Sequence, residues 1–465
     1  MSSSVTQAGI RAHVKCIIAM IIIAIICASI AWVLAPGKER VVKVKVTPTI
    51  PQVENFVTAI KGLAKSFGTS IEVPTTREGK VNITEFIPKT IPILEKAKNF
   101  VMKNLTVGFI YIGPVMDYGW TYGHDRGRRY IDAKFPWVKT IAIEQVGEGE
   151  CLRYIDRLVE QGCQVIFTTS FGFMDATIEA AKKYPDVVFF HCAGYKRAKN
   201  VGTYFAEFYQ LYYLNGLMAG ALTKSNKIGY VGAHPIPEVI RHINAFALGV
   251  KEVNPNAKVY VKWIHAWYDP TKAKEAAEAL VAEGCDVIAF TEDSPTIVEV
   301  CEDHFKKGKP IYTFSHYSPM LKYGPDVVVS GQLVHWEKIY EDILIKVYLG
   351  VYNTTNLENV DYWWMLKEGA VELGADYGVP INPKFIPILN STYVQDPILG
   401  NISVYQLIMI RLKQMSEEVP TFDPFTGPIY DQNGELKVRP GERLGHDALW
   451  SINWFVDNIV GSPKG

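Results

Sequence analysis

The sequence lacks a net charge, because 48 lysine and arginine residues balance 48 aspartate and glutamate residues in a chain of 465. Proteins that bind the nucleic-acid backbone concentrate basic residues to neutralise its phosphates. This chain has no such overall excess. We therefore predict that it has no nucleic-acid partner.

The sequence also lacks the motifs of common enzymes and metal sites. It contains no G-x-S-x-G elbow, no G-x-x-x-x-G-K-[S/T] loop and no H-E-x-x-H pair. Its histidines are spread over separate predicted elements without the spacing of metal ligands. We therefore predict that the protein is not an enzyme, with no catalytic residue, no metal site and no cofactor.

Closely spaced cysteine pairs are missing as well. None of the seven cysteines forms a C-x-x-C motif, and five of them lie on apolar segments after residue 100: Cys151, Cys163, Cys192, Cys285 and Cys301. We expect these to be buried thiols. A disulfide between Cys285 and Cys301 is the alternative.

No charged residue occurs between positions 16 and 37. This apolar run is about long enough to cross a bilayer as a helix, so residues 1–37 are predicted to form an N-terminal membrane anchor. A cleaved signal peptide is the alternative, although its apolar region is usually shorter. Residues 38–103, which contain several prolines, are predicted to form a stalk.

The location of the folded part follows from this segment. A long domain behind a first hydrophobic helix is most simply exported, so we expect a cell-membrane protein whose folded domain is extracytoplasmic. Five glycosylation sequons favour the same side and predict a glycoprotein. They begin at Asn82, Asn104, Asn353, Asn390 and Asn401.

A thirteen-residue pattern occurs twice in the chain. Residues 158–170 read LVEQGCQVIFTTS and residues 280–292 read LVAEGCDVIAFTE. In each copy a glycine closes a helix, an apolar run of strand length follows, and small polar residues stand where the strand would end. The repeat predicts two similar αβ lobes whose strand ends face a common cleft.

Strands and helices alternate around both copies, which predicts an α/β fold with two doubly wound Rossmann-like lobes and a hinge. We expect lobe 1 at 104–224 and lobe 2 at 225–320. Residues 321–465 are expected to return across the hinge and to complete both lobes. The crossings are placed loosely near residues 224, 320 and 430.

Five long motifs occur in a fixed order: GPVMDYGWTYGHDRGRRY, QGCQVIFTTSFGFMDATIEAAKKYPDVVFFHC, IGYVGAHPIPEVIRHINAFALGVKEVNP, WYDPTKAKEAAEALVAEGCDVIAFTEDSP and FDPFTGPIYDQNGEL. Through them, residues 104–460 strongly resemble the basic membrane protein family. These are substrate-binding components of ABC importers, related to purine-nucleoside receptor lipoproteins. The resemblance implies a type I periplasmic-binding-protein fold that closes on a nucleobase or nucleoside. It also implies an ABC permease and ATPase as partners.

The loop at 116–125 provides the first candidate ligand residues. Gly119 and Gly123 let the backbone approach a ligand closely, and Trp120 offers a flat face suited to stacking on a purine. The resemblance places the family's aromatic stacker here, whereas packing at the lobe interface is the alternative for Trp120. Asp117 and Thr121 are candidate hydrogen-bonding groups.

The end of the first repeat provides three more candidates. Ser170 is equally suited to contacting a ligand or capping a helix. Phe171 and Phe173 flank a glycine, so we expect one ring to face the cleft while the other packs inward. The residues alone do not decide which one.

Lobe 2 is expected to supply the opposing wall. The resemblance places an aromatic partner at Trp267, for which core packing is the alternative. Asp293 and Ser294 follow the second repeat, where a carboxylate can accept a hydrogen bond from an exocyclic amine or a ring N–H. Either residue is also suited to capping the next helix.

The loop at 314–320 departs from the pattern of nucleoside-binding relatives. Tyr317 stands where those relatives carry an aspartate for the ribose hydroxyls, and one phenol cannot bridge two hydroxyls as a carboxylate does. The resemblance therefore favours a free base such as adenine or guanine. His316, beside Tyr317, completes the predicted ligand-binding residues.

We therefore predict an extracytoplasmic, membrane-anchored substrate-binding protein of an ABC importer. It would bind a purine nucleobase or nucleoside between its lobes and deliver this ligand to a permease. A surface ligand-sensing or structural protein of the same fold, binding another small molecule, is the alternative.

Overall fold

The computed structural model describes residues 104–465 and scattered positions between 57 and 92. The predicted anchor at 1–37 and most of the predicted stalk at 38–103 lie outside the described residues. Within the described part of the chain, no helix is long and apolar enough to cross a bilayer.

Strands and helices alternate through most of the chain. The first part contains β1 (Leu105–Ile110), α1 (Trp120–Lys134), β2 (Val138–Ile143), α2 (Cys151–Glu160), β3 (Val165–Thr168), α3 (Met174–Lys183), β4 (Val188–Cys192), β5 (Val201–Ala206) and α4 (Tyr209–Leu222). The second part contains β6 (Lys227–Gly232), α5 (Pro237–Val253), β7 (Lys258–Trp263), α6 (Pro270–Ala282), β8 (Val287–Thr291), α7 (Thr296–Lys306), β9 (Tyr312–Tyr317), β10 (Val328–Val334) and α8 (Trp336–Tyr348).

The remainder is made of shorter elements. It contains β11 (Asp361–Trp364), β12 (Val371–Leu373), α9 (Ile386–Ser391), β13 (Tyr393–Asp396), β14 (Gly400–Ser403), α10 (Val404–Ser416), β15 (Ile429–Tyr430), β16 (Leu436–Val438), α11 (His446–Trp450) and β17 (Ile459–Val460).

Two large sheets form the centres of the two lobes. The lobe 1 sheet has the strand order β11-β5-β4-β3-β1-β2, and the lobe 2 sheet has the order β12-β10-β9-β8-β6-β7-β17. Every pairing in these two sheets is parallel except that of β10 with β12. The predicted two-lobed, doubly wound α/β fold is confirmed.

The repeated pattern occupies equivalent places in the two lobes, because β3 pairs with β1 and β8 pairs with β6. The preceding glycines, Gly162 and Gly284, are both left-handed, with φ of 83° and 93°. In each copy the cysteine N–H donates back to a leucine carbonyl at 3.0 Å, which closes the helix. The repeat in the sequence is therefore also a repeat in the structure.

The five cysteines after residue 100 are buried, and none is in a disulfide. The expectation of buried thiols is confirmed for Cys151, Cys163, Cys192, Cys285 and Cys301. The alternative disulfide between Cys285 and Cys301 is wrong. These two side chains pack in the outer apolar layer of lobe 2.

The chain crosses between the sheets at Glu207, at His335 and within 365–370. These positions differ from the expected ones, because α4 and β10 both belong to lobe 2. Helix α4 is buried on nearly every side and packs tightly on α5. A Cβ atom added at Gly216 would lie 2.0 Å from the Phe246 carbonyl oxygen. The alternation of elements indicates a helix at 209–222 but not which sheet it covers.

A buried ion cluster lies at the first crossing. The Glu207 carboxylate accepts hydrogen bonds from Arg241 Nε at 2.7 Å and from His242 Nε2 at 2.9 Å. Burial alone would raise the pKa of Glu207, but Arg241 and His242 lower it to about 2. The Arg241 guanidinium also lies 4.9–5.5 Å from the ring centres of Phe205, Trp363 and Trp450. The cluster therefore joins strands of lobe 1, helix α5 of lobe 2 and the C-terminal part of the chain.

Candidate functional site

A cavity lies between the lobes, beyond the carboxyl ends of the central strands. Both lobes contribute to its lining. Lobe 1 supplies Ile112, Trp120, Ser170, Phe171 and Ala193, and lobe 2 supplies Glu238, Trp267 and Asp293. Five of the predicted ligand residues therefore meet at one cavity, which lies where parallel α/β sheets usually bind ligands.

The lobes touch each other at the edge of this cavity. A Cβ atom added to Gly119 of lobe 1 would lie 2.8 Å from the Asp293 Cα of lobe 2. Nearby, the Tyr118 ring lies 5.5 Å from the Tyr323 ring, and Lys322 Nζ lies 3.8 Å from the Tyr118 ring centre. The structure therefore represents a closed form of the cleft.

Asp117 fixes the start of α1. Its carboxylate accepts the backbone N–H groups of Gly119, Thr121 and Tyr122, each at 2.9 Å. Because three donors already occupy its oxygens, Asp117 holds the loop that carries Trp120. Asp117 and Thr121 are buried behind the cavity and do not line it.

Trp120 is the first residue of α1 and is held from several sides. Its indole N–H donates to the carbonyl of Thr169, at the end of β3. Its ring meets those of Tyr317 and Trp336 edge to face, with centroid distances of 5.1 and 5.3 Å. The indole is therefore fixed in orientation while part of it lines the cavity.

The choice between the two phenylalanines is decided by packing. Phe171 lines the cavity, whereas Phe173 is fully buried in the outer apolar layer of lobe 1. Ser170 also lines the cavity, and its carbonyl oxygen lies 2.8 Å from His191 Nε2. The cavity lining therefore includes Phe171 but not Phe173.

Trp267 supplies aromatic surface from lobe 2. Its ring is half-buried and lies 5.0 Å from the His234 ring, while its carbonyl oxygen accepts the Asp293 N–H at 2.8 Å. Trp267 and Asp293 are thus held together by the backbone. The indole ring of Trp267 and the carboxyl group of Asp293 therefore line the cavity from neighbouring loops.

Three buried acids surround the lobe 2 side of the cavity. Among the residues that the structure describes, Asp293 Oδ1 and Glu292 Oε2 have no hydrogen-bond partner. Burial, followed by the nearby negative charge of Asp117, raises the pKa of Asp293 well above its usual range, and burial does the same for Glu292. Burial also raises the pKa of Glu238 to about 7. This wall therefore presents carboxyl oxygens that a ligand or solvent can hydrogen-bond.

Ser294 lies behind these acids. Its hydroxyl is 2.8 Å from Glu292 Oε1 and 2.9 Å from Thr296 Oγ1, beside the start of α7. Ser294 therefore orients Glu292 and does not line the cavity. Asp293 makes no side-chain cap to α7, whose first flanking residue is Pro295.

Tyr317 and His316 support the site from β9. Tyr317 adopts a left-handed backbone with φ of 60°, and its hydroxyl lies 3.5 Å from Glu238 Oε1. His316 is buried deeper, with Nδ1 2.8 Å from the Tyr212 hydroxyl. Neither residue lines the cavity, so each would act through the groups that do.

Glu238, the second carboxyl group in the lining, was not among the predicted ligand residues. It stands in the first turn of α5, shortly after β6 ends, and follows Pro237 at the helix start. An acidic residue just after a strand end was the available signal. It could be explained equally well as a favourable charge at a helix N-terminus.

A family model described as an ABC transporter substrate-binding protein, PnrA-like, matches residues 104–414. The chain belongs to this PnrA-like (Bmp) family. A purine-binding protein of Brucella abortus is 35% identical over 359 residues, which cover 77% of this chain and 93% of that protein. A putative ABC transporter glucose-binding protein of Haloferax volcanii is 36% identical over 59% of this chain and 68% of its own length.

Solved structures support the fold of this PnrA-like protein. An ABC transporter solute-binding protein from Aeropyrum pernix has a TM-score of 0.53 and 19% identity, covering 67% of this chain and 86% of that one. The resemblance drawn from the motifs is confirmed. Because the family consists of substrate-binding proteins of ABC transporters, the prediction that the chain is not an enzyme is also confirmed.

Replacing Glu238 with glutamine should stabilise the ligand-free protein more at pH 8 than at pH 5. Burial raises the pKa of Glu238 from its ordinary value of 4.5 to about 7. The folded state therefore holds this proton more tightly than the unfolded state, and stability falls as pH rises between these values. Above pH 7 the cost reaches about 3 kcal/mol, which glutamine would remove.

Thermal unfolding of both proteins at the two pH values measures this effect. Glu302→Gln, at another buried glutamate outside the cavity, is the matched control for loss of a buried carboxyl group. A Glu238→Gln shift that is independent of pH would contradict the burial argument.

Proposed function

We propose that this PnrA-like protein binds a free purine base between its lobes and delivers it to an ABC permease and ATPase. The proposal rests mainly on the lining of one cavity. Trp120 and Trp267 reach it from opposite lobes, together with Asp293, whose Oδ1 has no hydrogen-bond partner among the described residues. Aromatic faces stack on flat rings, and a buried carboxylate accepts their N–H groups.

Binding and closure would be coupled in this mechanism. In an open form the two tryptophans would be separated, and a base would first stack on one wall. Rotation about the three crossings would then bring Gly119 against Asp293 and exclude water from the cavity. The ligand would shift the equilibrium because only the closed form contacts it on both faces.

A free base is favoured over a nucleoside because the Tyr317 hydroxyl lies 3.5 Å from Glu238 Oε1, and one phenol would not bridge a pair of ribose hydroxyls. Similarity to the purine-binding protein of Brucella abortus supports the purine class.

A sugar is the second candidate, because the Haloferax volcanii relative is described as a putative glucose-binding protein. Sugars also stack on aromatic rings but are surrounded by hydroxyl groups. A surface ligand-sensing or structural role remains a further alternative from the sequence.

We propose that the folded domain acts outside the cytoplasm and that residues 1–37 attach it to the membrane.

Calorimetric titration of the purified full-length chain tests this function. Adenine, guanine, adenosine and glucose are compared under one condition, and we expect a purine base to bind most tightly. Micromolar or tighter binding of a base is the expected result. Tight glucose binding with no measurable binding of either base would refute the purine proposal.

Trp267→Ala should weaken binding of the preferred base by about tenfold or more, because stacking on one aromatic ring contributes roughly 1–3 kcal/mol. The control is Trp137→Ala, at a half-buried tryptophan of lobe 1 whose ring stacks on Tyr348 with centroids 4.0 Å apart. That variant should leave affinity unchanged. Equal affinities for both variants would remove Trp267 from the site.

Gly119→Ala should also weaken binding of the base by about tenfold or more, although no side chain that contacts the ligand is altered. The added methyl group would meet the Asp293 backbone at 2.8 Å, and such overpacking typically costs about 1–3 kcal/mol. Gly149→Ala adds a methyl group where no atom lies within 4 Å and serves as the control. Unaltered affinity in Gly119→Ala would show that the closed contact is not needed for binding.

A further inference from the structure

We propose that Glu238 is a second specificity-determining carboxyl group, and that the cavity selects purines rich in N–H donors and rejects anionic ones. This inference rests on the proposed function, since it names the class of purine that the same site accepts. Glu238 stands in the first turn of α5, whereas Asp293 lies in the loop after β8. The two carboxyl groups would contact different parts of one base.

The position of Glu238 makes this contact feasible. The residue is only 3% exposed, and it lines the cavity from the first turn of α5. Among the described residues, the side-chain hydrogen-bond contact of Glu238 is with the Tyr317 hydroxyl, which lies 3.5 Å from Oε1. That contact is long, so the carboxyl group retains acceptor capacity toward the cavity.

The cation nearest in sequence to Glu238 is committed elsewhere. Arg241 lies one helical turn further along α5, where Glu207 pairs with its guanidinium at 2.7 Å and three aromatic rings surround it. Arg241 is fully buried in this cluster. The charge of Arg241 lowers the pKa of Glu238, but by less than burial raises it. Arg241 therefore holds the helix in place without neutralising the carboxyl group through a direct salt bridge.

The charge of the lining follows from this arrangement. Glu238 and Asp293 are the two ionisable residues in the cavity lining, and no lysine, arginine or histidine is among the described residues that form it. Asp293 Oδ1, which is buried, has no partner among the described residues. A ligand that brings N–H donors would satisfy these oxygens and favour their ionised forms, whereas an anion would enter a lining that holds no cation to compensate its charge.

Adenine and guanine match this requirement, because each carries an exocyclic amine and an imidazole N–H. Urate has a similar ring system but is an anion near neutral pH and carries carbonyl oxygens in place of the amine. The two ligands offer nearly the same stacking surface. The difference in affinity between adenine and urate therefore tests how Glu238 and Asp293 respond to the charge and the polar groups of the ligand. It can be measured on the wild-type chain without any substitution.

The experiment measures adenine and urate binding by calorimetry on the full-length wild-type, Glu238→Gln and Glu302→Gln proteins. We expect the wild type to bind adenine at least about a hundredfold more tightly than urate. In Glu238→Gln this ratio should fall by at least about tenfold. Glu302→Gln, which removes a buried acid outside the cavity, should keep the wild-type ratio.

The outcomes separate the two claims. If the wild type binds neither adenine nor urate here, and neither base in the titration described above, the proposed function fails and this inference fails with it. If the wild type binds adenine but Glu238→Gln keeps the wild-type ratio, only the assignment of Glu238 is overturned. If urate binds the wild type as tightly as adenine, the acidic selection is overturned while purine binding stands. Because the readout is a ratio, partial unfolding of a variant does not imitate the expected result.

Discussion

The buried ion cluster at the first crossing is the constraint on which the arrangement of the two lobes depends. Arg241 has no exposure to solvent, so its charge requires Glu207, and removing either partner alone would leave an uncompensated buried charge at a cost of about 3–5 kcal/mol. The aromatic rings around Arg241 come from β5, β11 and α11. One guanidinium therefore ties the hinge to both lobes, and it fixes the start of α5, where Glu238 faces the cavity.

From this anchored hinge, the two lobes present unequal surfaces to the cavity. Lobe 1 contributes mainly apolar and aromatic groups, and Asp117 holds the loop that carries Trp120 without lining the cavity. Lobe 2 contributes Trp267 and two carboxyl groups. A flat, donor-rich ligand would complement both surfaces at once. The cost of burying the acids without partners would then be relieved in the closed, occupied form.

Much of this architecture was predictable because it rests on local signals. The two glycine-closed helix ends and the apolar runs after them identified β3 and β8, and the alternation of elements identified parallel sheets. Strand-end positions also pointed to Trp120, Trp267 and Asp293, helped by resemblance to a known family. What the chain could not show was the direction of individual side chains. The side of the backbone that faces the core decides between Phe171 and Phe173, and this depends on packing between distant segments.

The same limit explains the remaining differences. Helix α4 was expected in lobe 1, but its assignment to lobe 2 depends on close packing of Gly216 against α5, which no local pattern reveals. Glu238 was not among the predicted ligand residues, because only tertiary structure brings it to the same cavity as Asp293. The most direct test of purine binding in this cavity is a crystal structure of the full-length protein with adenine. We predict the base between Trp120 and Trp267, with N–H groups within hydrogen-bonding distance of Asp293 and Glu238. A base bound outside this cavity, or a closed cavity that adenine does not enter, would refute binding at this site.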